Sequence, residues 1–134
     1  MDDAFVALAL YTGLSALMLL VLTLNVSLNR GKHRTVQPGQ MGEGAVVRAI
    51  RAHANFTEYA PLVLLMLGVL ALNRTAALPI HILGAAFLVG RVLHALGMLQ
   101  PKHPNAARVL GAFITVLVLL AGGILCLMRF YEAL

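Results

Sequence analysis

Charge is scarce in this chain: 11% of its 134 residues are Asp, Glu, Lys or Arg, against 60% that are hydrophobic. A soluble globular domain carries about a quarter charged residues, so this composition excludes that class and points to a small protein crossing a membrane several times. The formal net charge is +5, but the basic residues are too few in any soluble surface to line a groove, so nucleic acid is excluded as a partner. A single cysteine, Cys126, rules out an intramolecular disulfide and reads as a small apolar side chain. The chain begins MDDAF, without the basic leader or small-residue cleavage site of a secretory signal. The first apolar run is therefore expected to stay in place as a span.

What the chain has in quantity is apolar sequence, in four runs. Crossing about 30 Å of hydrocarbon takes roughly 20 mostly apolar residues, which predicts spans at about 4–28, 44–73, 79–99 and 106–130 of a single domain covering 1–134. The purely apolar part of the second run, from Tyr59 to Leu72, is too short to span alone. Its helix must reach back through Asn55 and Arg51 and carry them below the headgroups. Pro79 suits the first turn of the third helix, and Gln100, Pro101 and Pro104 stop it. Unpaired backbone is intolerable in hydrocarbon, and the runs are too long and unpatterned for barrel strands. The expected fold is an all-α integral membrane protein, an antiparallel four-helix bundle. Residues 29–44 read as a loop carrying Arg30, Lys32 and Arg34; Lys102 joins them on that side, and Asp2, Asp3, Arg74 and Arg129 lie on the other. By the positive-inside rule both termini face away from the cytoplasm, and the basic loops are drawn to anionic lipid headgroups. Compact loops without a retention signal favour a bacterial inner membrane.

Within the second helix, Arg48, Arg51, Asn55 and Glu58 follow at steps of three, four and three residues, on one helix face at successive depths. His53 lies off that stripe. A device for holding helices together needs one or two polar groups. Several groups of both signs, at different depths, read instead as a site for a polar, charged ligand. A second set, Arg91, His94 and Met98, shares a face of the third helix, and the antiparallel order brings both sets into one leaflet. Arg108, at the start of the fourth helix, joins them although a cation there opposes the helix dipole, which hints at a ligand anion. With no Cys or carboxylate in its set, His94 does not read as a metal ligand, and no metal is expected.

Through these residues the sequence resembles the MAPEG family, the membrane-associated proteins of eicosanoid and glutathione metabolism, over nearly its whole length. RAHANFTEYAP, from Arg51 to Pro61, is similar to the family signature R-A-x-x-N-x-x-E-x-x-P, and Arg91-Val-Leu-His94 is similar to its third-helix motif. The resemblance implies four transmembrane helices, a homotrimer, and glutathione as co-substrate held between neighbouring subunits on the cytoplasmic side. It implies glutathione contacts for Arg51, Asn55, Glu58 and Tyr59, and a looser one for Arg30, and Arg91 and His94 of the third-helix motif are candidate glutathione-binding residues with them. His94 matches a position that is His or Tyr in the family, and Arg108 the catalytic arginine that stabilises the thiolate.

The chemistry suits that reading. Arginines clamp the two carboxylates of glutathione, Glu58 takes its ammonium and Asn55 serves its backbone amides. The expected activity is that of a membrane-bound glutathione transferase-like enzyme, joining the glutathione thiolate to a lipophilic electrophile that enters from the bilayer. Met98 departs from the family pattern, standing where several eicosanoid enzymes have a tyrosine, and it cannot donate a proton. The alternative is therefore a noncatalytic membrane scaffold that binds a lipid ligand or a partner. A transporter or channel has little room in four short helices. One bundle also encloses too little volume for glutathione, so self-association is expected, with the trimer taken from the resemblance.

Overall fold

The computed structural model describes residues 3–32, 44–102, 105–132 and 134. Four helices account for nearly all of them: α1 (Asp3–Lys32), α2 (Ala45–Leu72), α3 (Ala77–Leu99) and α4 (Ala106–Glu132). Each is long and apolar enough to cross a membrane, and no strand occurs among the described residues.

Three helices fall within a few residues of their expected bounds, while α1 runs past its expected end at residue 28 to Lys32. A length rule measures hydrocarbon, and a helix without a breaker continues beyond it. Here Asn29 Nδ2 donates to the Asn25 carbonyl and side-chain oxygens, each at 2.8 Å, and Arg30 and Lys32 in the last turn complement the helix dipole. Arg30, expected in a loop, thus sits on a helix. Arg34, Asp2 and Pro104 lie outside the described residues. Pro79 is the third residue of α3, inside the first turn, where backbone N–H groups have no helical partner anyway.

The turn between α2 and α3 shows why so short a link suffices. Thr75 N–H donates to Leu70 O and Arg74 N–H to Ala71 O, both at 3.1 Å, while Arg74 takes φ 53°. This is a Schellman cap with arginine in the left-handed position that glycine usually fills.

Side-chain contacts fix the up-and-down order. Thr23 near the end of α1 meets His53 near the start of α2, and Arg48 at the start of α2 meets Leu99 at the end of α3. The largest fully buried side chains include Val63, Leu67 and Leu70 of α2 with Ile80 and Phe87 of α3. Around this centre α1 packs on α2 and α3, α4 packs on α3 and α2, and α1 and α4 do not touch among the described residues. Helix α2 therefore has two open flanks. One faces a groove beside α1, and the other a cleft beside α4. Exposed leucines, valines and phenylalanines cover the outer faces of α1 and α4, as lipid contact demands.

Contact between α3 and α4 is close because glycines face it. A Cβ at Gly111 would run into the Gly90 carbonyl and the His94 backbone, and one at Gly97 into the Arg108 backbone nitrogen. This approach lays the first turn of α4 directly on the last turns of α3.

Candidate functional site

The α2–α4 cleft holds the polar residues. Its outer part is a groove of about 260 Å³ lined by Arg51, Ala54, Asn55, Glu58, Met98 and Arg108. Arg51 and Glu58 are exposed, Asn55 and Arg108 half-buried, and Met98 buried. Three helices contribute: the spacing on α2 sets Arg51, Asn55 and Glu58 along one wall, α3 supplies Met98 as the floor, and α4 supplies Arg108 opposite. Among the described residues no ion pair or side-chain hydrogen bond occupies Arg51, Glu58 or the Arg108 guanidinium; the ion pair there is Arg129–Glu132. Two cations and one anion thus face a common groove with their charges unspent.

Arg108 is held by its backbone. Asn105, immediately before α4, accepts from Arg108 N–H at 3.0 Å as an N-cap, and its amide donates to Gly97 O at 2.8 Å and to Lys102 O at 3.1 Å. Asn105 was not singled out by spacing. An Asn three residues before a basic residue, at the head of an apolar run, is the signal that marks it.

A smaller chamber of about 60 Å³ lies deeper, sharing Asn55 with the groove; Tyr59, Arg91 and His94 also line it. Arg91 is 3% exposed. Its Nη1 donates to Asn55 Oδ1 at 2.8 Å, and its guanidinium lies 5.1 Å from the centre of the Tyr59 ring, a cation–π contact. The two polar sets read from the sequence on α2 and α3 are therefore in direct contact.

Two residues go elsewhere. Arg48, on the same stripe as Arg51, donates through Nε to Leu99 O at 3.1 Å and so closes the end of α3. Arg30 lies across α2, in the α1–α2 groove of about 270 Å³ that Thr23, Ser27, Ile50 and His53 also line. His53, off the α2 stripe, shares a 3.1 Å hydrogen bond with Thr23 on that side. One chain thus gathers Arg51, Asn55, Glu58, Tyr59, Arg91, His94 and Arg108 in one cleft and leaves Arg30 on the other flank of α2. No group of three or more His, Cys, Asp or Glu side chains placed to hold a metal occurs among the described residues.

Depth gives the cleft its energetic character. Counting roughly 20 residues back from Leu72 puts the hydrocarbon boundary near His53, so Glu58 lies about 7 Å inside it at 1.5 Å per residue. A carboxylate exposed on one chain at that depth needs a cover other than acyl chains.

Comparison with known proteins gives a concordant picture. Residues 8–128 match the MAPEG family. The chain is 35% identical over 89 residues to the Inner membrane protein YecN of Escherichia coli K12, covering 66% of this chain and 67% of that protein. It is 29% identical over 120 residues to the uncharacterized protein sll1147 of Synechocystis, covering 90% of this chain and 87% of that protein. The protein is thus an integral membrane protein with bacterial relatives, one of them named for the inner membrane.

Proposed function

Since the chain belongs to the MAPEG family, we propose that it is a membrane-bound glutathione transferase-like enzyme, acting in a bacterial inner membrane with both termini on the non-cytoplasmic face. The observation that carries this reading is the groove in which Arg51, Asn55, Glu58 and Arg108 converge with their charges unpaired. Glutathione carries two carboxylates and an ammonium; the Arg51 guanidinium complements a carboxylate, the Glu58 carboxylate the ammonium and the Asn55 amide the peptide backbone. Arg108, at the rim between α3 and α4, faces the cysteinyl thiol and favours its anion by opposite charge. The thiol proton leaves to water, and the sulfur pair forms a bond to the electrophilic carbon of a substrate dissolved in the bilayer; the displaced pair departs with an anionic leaving group or, on addition to an activated double bond, moves to the next carbon, which takes a proton from water. Holding the two reactants together supplies most of the remaining acceleration. His94 and Tyr59 line the inner wall of the site.

Arg30 bears on assembly. Because it lies across α2 from Arg51 and Arg108, it reaches the same glutathione only from a neighbouring subunit. A homotrimer with the α1–α2 groove of one subunit against the α2–α4 cleft of the next brings them together. It also covers Glu58.

Met98, buried in the floor of the groove, favours a second reading: a noncatalytic scaffold that binds a lipid ligand or a partner. The test is calorimetric titration of reduced glutathione into detergent-purified protein. Wild type is expected to bind saturably, with binding lost in Arg51→Ala and Glu58→Ala. A folded oligomer that takes up no glutathione removes the transferase reading and leaves the scaffold.

A further inference from the structure

Arg91 is a buried cation with no counter-charge. It lies eight residues from the end of α3, about 12 Å along the axis. Its partners are the Asn55 amide oxygen and the face of Tyr59, and its Nε has none. A guanidinium taken out of water loses several kcal/mol of hydration, and one amide oxygen and one ring do not restore it. The described residues offer no carboxylate to do so: the ion pair among them, Arg129–Glu132, joins two residues at the far end of α4.

What adjoins Arg91 instead is a space. The inner chamber of about 60 Å³ is walled by Asn55, Tyr59, Arg91, His94, Ala112 and Val116. A chamber of that size is on the scale of a small anion or a single carboxylate group, not of a whole peptide. Asn55 uses its oxygen on Arg91 and keeps its amide N–H groups, and Arg91 Nε is an unused donor, whereas the Thr115 hydroxyl proton is already spent on Gly111 O at 2.9 Å. A small space beside an uncompensated cation with unused donors, in a low dielectric, selects for negative charge.

We propose that this chamber is an anion-binding site, in which a halide or a single carboxylate group supplies the counter-charge of Arg91. Two routes lead to it. Asn55 is shared with the polar groove, through which an ion arrives from water. Val116 is exposed on the outer face of α4, where the carboxylate of a single acyl chain enters from the bilayer while its tail stays along Phe113 and Leu120. The site requires neither glutathione nor turnover.

Thermal unfolding of the detergent-purified protein tests it. Chloride is titrated against methanesulfonate at constant ionic strength, and octanoate is compared with methyl octanoate. Wild type is expected to show a saturable rise in Tm of a few degrees with chloride, octanoate or both, which Arg91→Gln lacks. Ala112→Leu, which fills the chamber and keeps the arginine, lacks it too, and serves if Arg91→Gln does not fold. Response to chloride assigns the water route; response to octanoate, but not to its ester, assigns the bilayer route. An Ala112→Leu protein whose Tm answers glutathione but not anions supports a site separate from glutathione binding. No anion response in wild type, or an equal one in Ala112→Leu, overturns the proposal whatever glutathione does.

Discussion

Arg108 is the residue on which chemistry and geometry separate most cleanly. Its backbone is anchored by Asn105 and pressed against Gly97, so truncating the side chain beyond Cβ removes charge without loosening α4. Its assigned role is to favour the thiolate, an effect expressed in turnover more than in affinity. Arg108→Ala is therefore expected to lower kcat about tenfold or more, the equivalent of one pKa unit on the thiol, while glutathione affinity measured by calorimetry falls much less. Equal turnover in wild type and variant defeats the assignment. That role comes from the resemblance; what spacing made readable is the shared wall of α2, because steps of three and four residues report a common helix face and nothing else. Arg51, Asn55 and Glu58 share their wall for that reason. Arg48 satisfies the same spacing yet closes the end of α3, and His53 fails it yet lines the opposite groove. Both outcomes depend on which helix lies alongside, which periodicity within one helix does not encode.

At the scale of the helix, spans were legible because apolar length is a direct reading of membrane thickness. The end of α1 was not, since hydrocarbon length says nothing of a helix that continues into the headgroups to Lys32. The α2 cap carries a prediction of its own. Arg74 holds φ 53°, a left-handed conformation that costs an L side chain about 1 kcal/mol and glycine almost nothing. The same cap is closed by backbone bonds from Arg74 and Thr75, which any residue preserves. Arg74→Gly is thus expected to stabilise the protein by about 1 kcal/mol, visible as a higher Tm in detergent with glutathione binding unchanged. A lower Tm shows that the Arg74 side chain contributes more at the headgroups than the turn loses by straining it.

For the whole molecule, the proposed trimer rests on two residues that one chain leaves without a counterpart. Glu58 faces outward below the hydrocarbon boundary, and Arg30 stands on the other flank of α2 from the residues it is proposed to work with. Packing the α1–α2 groove of one copy against the α2–α4 cleft of the next is a heterologous contact, which closes into a ring when its rotation is a third of a turn. Each glutathione then draws Arg30 from one subunit and Arg51 from another. Two binding-deficient variants, Arg30→Ala and Arg51→Ala, provide the test when coexpressed in equal amounts and purified through tags on both chains. If the arginines act across subunits, about one third of the sites in the mixed rings receive both intact, since every ring of two chains and one has a single interface with an Arg51→Ala chain on one side and an Arg30→Ala chain on the other. Calorimetric stoichiometry is expected to recover to about that fraction, where each variant alone binds nothing. If both arginines act within one chain, no mixture restores a site, because every chain lacks one of them. Crosslinked mixed oligomers without recovered binding would therefore defeat the cross-subunit site.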